Sequence, residues 1–485
     1  MRFADAVVPD EWANEELAYA EFGGGRTETG PMTWAQQVMW RAAMLSKTQH
    51  LFLNLRRVLP VPRRAPGDLP SVTRAIGQLV ARHGGLRTRV CLVADGTSQQ
   101  ETAASGSVPI LVVAGDGDGT QAAAGLTRRL GDVAFDHGRE WPVRFAVVLV
   151  DDRVRQVVLI FSHSTADAYA VDVILRDLRV LLLRGELSTP AGLQSVDVAR
   201  CQHGPDQVRS GRAVAYWARQ YGRLAGTVFD QVAPELTPRL HRGTLVSPAI
   251  ATAARMIAAR HRVSLSTVLL AASTALSAGT AGRQVCGLFN MAHNRFRPEY
   301  RNAVANLGQI GFCVLDIADR PSFFELLPRI YRVALDGYLH AYYDAAAMRK
   351  NFEDLGYDYT TAFLPYYYFN DVRLPVGNAV DDVEPVAEGV LRAAAERSEF
   401  SWTDGLDVAS WHQLIHVVDA PDAVGVTLST DTRFRPPATI EPYLRDLETL
   451  LIDAAYRDVP WPWQPRRSAA AGLSASAGGP GRAGR

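Results

Sequence analysis

The stretch Phe161–Tyr169, FSHSTADAY, lies between two different periodicities. Before it, the apolar run Val157–Phe161 has the composition of a buried strand. After it, Val171, Ile174, Leu175, Leu178 and Leu182 recur at the spacing of one helix face. The stretch is therefore a strand-to-helix junction. Asp167 falls near the helix start, where the unpartnered N–H groups of the first turn favour a carboxylate. Upstream, Phe145–Val150 and Val157–Phe161 flank the charged turn Asp151-Asp152-Arg153, the clearest hairpin signal in the chain. A histidine at the end of a buried strand is a plausible general base, because neutral imidazole takes up a proton near pH 7. The same residues also suit a polar turn that caps a helix, and spacing alone does not separate the two readings. Metal ligation by His163 and Asp167 lacks a third ligand at a recognised spacing, and the sequence has no HExxH. Ser162 beside His163 suggests a hydrolase, yet no GxSxG elbow occurs.

Composition narrows the class. A chain of 485 residues exceeds one ordinary core, so two or three domains are expected. Apolar residues make up 47% and charged residues 21%, the balance of a globular protein. A formal net charge of zero argues against a nucleic-acid binder, which needs a basic field to neutralise phosphates. Cys91, Cys201, Cys286 and Cys313 are scattered, so neither a disulfide framework nor a zinc site is readable. The run Gly115–Gly119, GDGDG, resembles part of a calcium loop but lacks the glutamate that completes one. No metal or cofactor bound by the chain itself is expected. The acidic start, MRFADAVVPDEWANEE, has no signal-peptide pattern, and no apolar run reaches the roughly 18 residues of a membrane span. A cytoplasmic protein without membrane contact is the expectation.

Along the chain, residues 1–30 end in FGGGRTETG and read as an N-terminal extension. Helical patterns follow at 32–45 and 71–86, the second closed by His83-Gly84-Gly85. Residues 186–210 have weak periodicity and read as a connection between two halves. The second half carries helical patterns at 211–226, 247–262, 264–281 and 439–458, with strand-like stretches near 284–290, 308–316, 364–370 and 409–430. Residues 465–485 are rich in Gly, Ala, Ser, Pro and Arg and are expected to be disordered. Trp34, Trp40 and Trp217 read as core aromatics. Tyr366, Tyr367 and Tyr368 alternate across a strand, so at least one points inward.

The segment Ser162–Ala168, SHSTADA, resembles the HHxxxDG signature of the condensation-domain superfamily of nonribosomal peptide synthesis. Further segments resemble that family in its own order. They are MTWAQQVMW (32–40), RHGGLRTRV (82–90), AYWARQYGRLAG (215–226), NLGQIGFCVLDI (306–317), YYYFND (366–371) and TLSTDTRFRPPATIEPYLRDLETLL (427–451). The resemblance spans roughly residues 31–460. It implies an α+β fold of two chloramphenicol acetyltransferase-like lobes, a V-shaped pseudo-dimer with a central tunnel. The lobes would cover residues 31–190 and 191–464.

By the same resemblance His163 would be the catalytic residue, as general base or by positioning the nucleophile. Asp167 would be structural, turned from the reaction and paired with an arginine of the other lobe. Arg295 is the best candidate for that arginine, with Arg297 two residues away as the competitor. Three departures stand out: Ser162 replaces the signature's first histidine, Ala168 replaces its glycine, and the family's strand asparagine is lost around Leu315. Serine still hydrogen-bonds locally, so Ser162 counts as support of the site. Ala168 adds a methyl that would narrow the acyl path or shift the helix start. Tyr367 and His412 are further candidates to line the tunnel, although core packing is the plainer role for Tyr367; His416 is weighed with His412.

The implied function is a free-standing condensation-type acyltransferase, since 485 residues leave no room for an adenylation or carrier domain. Its donor would be an acyl or aminoacyl thioester on the phosphopantetheine arm of a separate acyl or peptidyl carrier protein, or a coenzyme A thioester. Its acceptor would be an amine or alcohol, small or carrier-bound, and its product an amide or ester. A monomer is expected. The alternative is a non-catalytic platform that recruits a partner enzyme or carrier protein.

Overall fold

Two adjacent aspartates fold the hairpin at the centre of the first half. Asp151 (φ 51°) and Asp152 (φ 57°) both occupy the left-handed region, and Val150 pairs with Arg153 across them. Positive φ at both central residues makes a type I′ turn, whose twist matches that of the strands it joins. In the computed structural model of the chain, the described residues are Trp12, 14–45, 54–92, 98–224, 229–357, 367–373, 384–406 and 411–463. The expected disorder of 465–485 and the placement of Tyr366 lie outside them.

The chain divides into two compact units. The first comprises Met1–Gly222, Phe289–Phe312 and Asp336–Phe363, and the second Arg223–Leu288, Cys313–Leu335 and Leu364–Arg485. The strands of the first unit are β1 (Leu17–Phe22), β2 (Glu28–Pro31), β3 (Asn54–Pro60), β4 (Thr88–Leu92), β5 (Ser98–Thr102), β6 (Gly106–Ala114), β7 (Val143–Val150) and β8 (Arg153–Ser162). Its helices include α1 (Trp34–Leu45), α2 (Leu69–Arg82), α3 (Thr120–Gly131), α4 (Ala168–Arg184), α5 (Ser195–Gln202) and α6 (Gln207–Tyr221). One sheet runs β1-β6-β7-β8-β3, antiparallel except for the parallel pair β6-β7. A smaller antiparallel sheet runs β2-β5-β4.

Both faces of the larger sheet are covered. Helices α2 and α4 bring Val72, Ile76, Leu79, Val171, Ile174 and Leu178 onto Phe145, Leu159 and Phe161. Helix α3 brings Ala123, Leu126 and Leu130 onto Ala146, Val148, Val158 and Ile160 on the opposite face. Alternate residues of β7 and β8 thus enter two separate cores, which is why these strands read as unbroken apolar runs. Phe145 and Phe161 are fully buried, and truncating such a residue to Ala typically costs about 3–5 kcal/mol.

One expectation is corrected here. Residues 17–31 are no extension, because β1 pairs along β6 and β2 along β5. Ala20 and Phe22 are buried while Tyr19 faces out, a period of two masked in the sequence by small residues and the Gly-rich run beside it. The compact units are discontinuous in sequence. Residues 191–222 belong to the first unit together with 289–312 and 336–363. Trp34 and Val198 share one apolar cluster with Tyr300, Ala303, Ala305, Leu307 and Tyr342. The segment read as a connection contains α5, closed at its start by a reciprocal box between Gln194 and Asp197.

Helix α2 starts on Asp68, whose side chain accepts from the Ser71 N–H at 2.8 Å, and it stops at Arg82 rather than at residue 86. A tight turn over Gly84–Arg87 follows. There a side-chain carbon on Gly85 would come within 2.6 Å of the Val304 carbonyl oxygen.

The second unit holds β9 (Leu240–Ser247), α7 (Pro248–His261), α8 (Leu265–Ala281), β12 (Tyr367–Asp371), α11 (Glu388–Ala395), β13 (Glu399–Leu406), β14 (Gln413–Ala420), β15 (Ala423–Asp431) and α12 (Ile440–Tyr456). The remaining elements are β10 (Val285–Ala292), β11 (Gln309–Asp316), α9 (Phe323–Leu339) and α10 (Ala345–Asp354). The sheet runs β11-β10-β12-β14-β15-β9-β13, with β12 parallel to β14 and β14, β15, β9 and β13 antiparallel in turn. The chain is α+β throughout. No helix among the described residues is long and apolar enough to cross a membrane.

Candidate functional site

Strand β8 ends at Ser162, whose carbonyl accepts from the N–H groups of Thr165 (3.1 Å) and Ala166 (3.3 Å), so the chain turns at once. Helix α4 then begins at Ala168 with Asp167 as its cap: φ is −96°, ψ is 174°, and Oδ1 accepts from the Ala170 N–H at 2.8 Å. A cap of this kind contributes about 1 kcal/mol.

The other lone pairs of that carboxylate are taken up by one distant segment. Arg295 donates from Nη1 to Oδ2 and from Nη2 to Oδ1, both at 2.8 Å. The Leu307 N–H adds a bond to Oδ2 at 2.9 Å. The two side chains are 1% and 8% exposed, so this is a buried, two-pronged pair, the geometry that suits a planar guanidinium. Burial pushes the Asp167 carboxyl upward, but the Arg295 charge and the hydrogen bonds from Arg295, Ala170 and Leu307 outweigh it. The group is held below the usual carboxylate range. Arg295 also donates to the carbonyls of His293 (3.0 Å) and Ala305 (3.1 Å) and lies 4.6 Å over the Tyr169 ring. The competing Arg297 pairs instead with Asp206. Arg295 and Asp167 fall in the same compact unit, which takes in the segment Phe289–Phe312.

His163 is half-buried in this turn. Its Nδ1 lies 2.9 Å from the Ala166 carbonyl oxygen. A carbonyl only accepts, so in the neutral ring Nδ1 carries the proton and Nε2 keeps its lone pair. The His163 carbonyl accepts from Asn306 Nδ2 at 2.6 Å. Asn306 is fully buried. Its Oδ1 accepts from the Gly308 N–H at 3.1 Å, and its backbone carbonyl accepts from Thr33 Oγ1 at 2.9 Å. Thr33 stands at the head of α1, in a reciprocal exchange with Gln36 at 2.7 and 3.1 Å. Residues 305–307 therefore hold the arginine, the histidine and the aspartate at once. Sequence reasoning missed Asn306; an asparagine just before a Leu-Gly pair carries no periodic signal.

The remaining candidates scatter. Ser162 is buried, with its hydroxyl 2.7 Å from Ser164 Oγ and 2.7 Å from His137 Nε2. Ala168 is the first residue of α4, half-buried beside the cap. Tyr367 is 1% exposed in the second unit, its hydroxyl against Thr274 Oγ1, a core position. His412, also in the second unit, stacks on Phe434 with ring centres 3.6 Å apart. Burial pushes its pKa down to about 4. Both fall in the second unit, whereas His163 falls in the first. Among the described residues no group of histidine, cysteine and carboxylate side chains could hold a metal ion.

No profile of a known protein family matches the chain. It is 28% identical over 344 residues to the probable non-canonical nonribosomal peptide synthetase CymA of Salinispora arenicola, covering 65% of this chain and 4% of that protein. It is 26% identical over 322 residues to the phosphinothricin tripeptide synthetase PhsC of Streptomyces viridochromogenes, covering 63% and 29%. The chain thus matches under a third of either relative. Among solved structures, it superposes on the condensation domain that mediates chain release from the enacyloxin polyketide synthase with a TM-score of 0.67 at 18% identity, over 94% of this chain and 85% of that one. It superposes on the teicoplanin X-domain, solved in complex with OxyB, with a TM-score of 0.64 at 16% identity, over 90% and 95%. In sequence the chain is thus similar to parts of nonribosomal peptide synthetases, and its fold is the chloramphenicol acetyltransferase-like fold of solved condensation domains.

Proposed function

We propose that the chain is a condensation-type acyltransferase of natural-product biosynthesis. It would take an acyl or aminoacyl group from the phosphopantetheine thioester of a carrier protein, or from a coenzyme A thioester, and pass it to an amine or alcohol. The observation that carries this reading is the state of His163: Nδ1 is committed to the Ala166 carbonyl, and Nε2 has no hydrogen-bond partner among the described residues. Nε2 then accepts the proton of the attacking N–H or O–H as the nucleophile adds to the thioester carbonyl. The new C–N or C–O bond forms, the C–S bond breaks, and the departing thiolate takes the proton back as a thiol. Asp167, Arg295 and Asn306 hold the turn in place and do not touch the reacting atoms. A starter condensation domain of rhizomide synthetase, solved with C8-CoA and Leu-SNAC, shares the fold at a TM-score of 0.66, which supports thioester substrates here.

The test is His163→Ala, checked for folding by circular dichroism, in a reconstitution with the carrier proteins of the pathway and mass-spectrometric detection of product. Loss of a positioned base should lower the rate by about 10²–10⁴; an unchanged rate refutes the assignment. The platform reading has its own support in the departures at Ser162 and Ala168 and in the likeness to an X-domain solved with OxyB. Wild-type protein that binds a partner and never turns over would favour it.

A further inference from the structure

Ser162 stands where the resembling signature has a histidine, yet an imidazole lies against it. His137 comes from the stretch before β7, in FDHGREW, and its Nε2 is 2.7 Å from Ser162 Oγ. Ser162 Oγ in turn is 2.7 Å from Ser164 Oγ and accepts the Ser164 N–H at 3.2 Å. Ser162 and Ser164 are 2% and 3% exposed, so their hydroxyls depend on protein partners. His137 is itself fixed on two sides. Its carbonyl accepts from the Val90 N–H at 3.0 Å, and its ring meets Trp40 edge-on, with centres 5.4 Å apart and planes at 89°.

The chain of contacts brackets His163. Ser162 and Ser164 are its two neighbours in sequence; Ser162 bonds a ring that is anchored outside the turn, and Ser164 bonds Ser162. A serine hydroxyl alone is too short to brace a strand end against a neighbouring element, and would bond only within its own turn. We infer that His137 is a positioning residue for this site: it holds Ser162 and Ser164, and through them the turn that keeps the His163 ring on the Ala166 carbonyl. This rests on the reading of His163 as the base. Burial pushes the His137 pKa down to about 4, so near pH 7 the ring is neutral and makes the bond to Ser162 without a charge.

The test reads the His163 ring directly, with no substrate. The protein is labelled with ¹⁵N-histidine, and its ring nitrogens are recorded at pH 8, with the His163 signals assigned by their loss in His163→Ala. The wild type should show the Nδ1–H tautomer as the major species. In His137→Phe, which keeps a ring against Trp40 but has no nitrogen for Ser162, that form should cease to be the major one. His137→Gln, which still offers an amide, should restore it. Should either variant fail to fold, Ser162→Ala reports on the same link and should lose the Nδ1–H form likewise. An unchanged His163 tautomer in His137→Phe, or in Ser162→Ala where it is needed, overturns the inference. An inactive wild type with the expected tautomer shift would instead count against the proposed acyltransferase alone.

Discussion

Removing Arg295 should destabilise the first unit more than almost any other single change. In Arg295→Ala, the Asp167 carboxylate keeps only the Ala170 and Leu307 N–H groups and remains in a site that is nearly closed to water. Breaking one side of such a buried pair typically costs about 3–5 kcal/mol, because the remaining charge is left without its counter-charge. Asp167→Ala strands the guanidinium instead and also removes the α4 cap, so its cost should be at least as large. The double variant strands neither charge. It should lose less than the two single losses combined, with a coupling of about 2–3 kcal/mol. The assay is urea unfolding followed by tryptophan fluorescence and by far-ultraviolet circular dichroism, since two compact units need not unfold together. Additivity within about 0.5 kcal/mol would refute the claim that the two charges depend on one another.

Four further outcomes follow from other parts of the molecule. Burial holds His137 and His412 neutral down to about pH 4, against an ordinary value of 6.5. The unfolded chain therefore binds more protons between pH 6.5 and 4, and urea-unfolding stability should fall as pH drops through that window, by up to roughly 3 kcal/mol per histidine. Asn306→Ala deprives the His163 carbonyl and the Gly308 N–H of partners, and should lower stability by about 2–3 kcal/mol in the same assay. Asp152→Gly relieves a positive φ and should be neutral or stabilising by up to about 0.5 kcal/mol in thermal unfolding. Tyr367→Phe strips a core hydroxyl from Thr274 and should cost about 1 kcal/mol while leaving product formation untouched.

Much of the fold was legible because the relevant signals are local. The hairpin at Asp151-Asp152 and the helix after Asp167 depend on turn chemistry and periodicity within a few residues. The edge strand β1 was not, since Leu-Ala-Tyr-Ala-Glu-Phe alternates through alanines that weigh little in a hydrophobic pattern. The grouping of residues 191–222 with the first unit was hidden for a related reason. The packing of Trp34 and Val198 on Tyr300 and Leu307 is a tertiary fact with no trace in the intervening sequence. At the site, the positions of His163 and Asp167 came from the strand-to-helix junction, while Arg295 rested on resemblance. Asn306 and His137 escaped, because each acts through one side chain on a segment far along the chain, and a single polar residue in a loop has no pattern to betray it.

The long sequence separations at the site have a consequence for how the protein is made. Asp167 is separated from Arg295 by 128 residues, and His163 from Asn306 by 143. At the roughly 5–20 residues per second of translation, the aspartate leaves the ribosome on the order of ten seconds before its arginine. Through that interval the start of α4 carries an unpaired carboxylate that favours water over the core. The turn around His163 is therefore completed late in synthesis. Chains stalled short of residue 289 should be cut by protease near residues 162–168, and chains extended past Phe312 should resist.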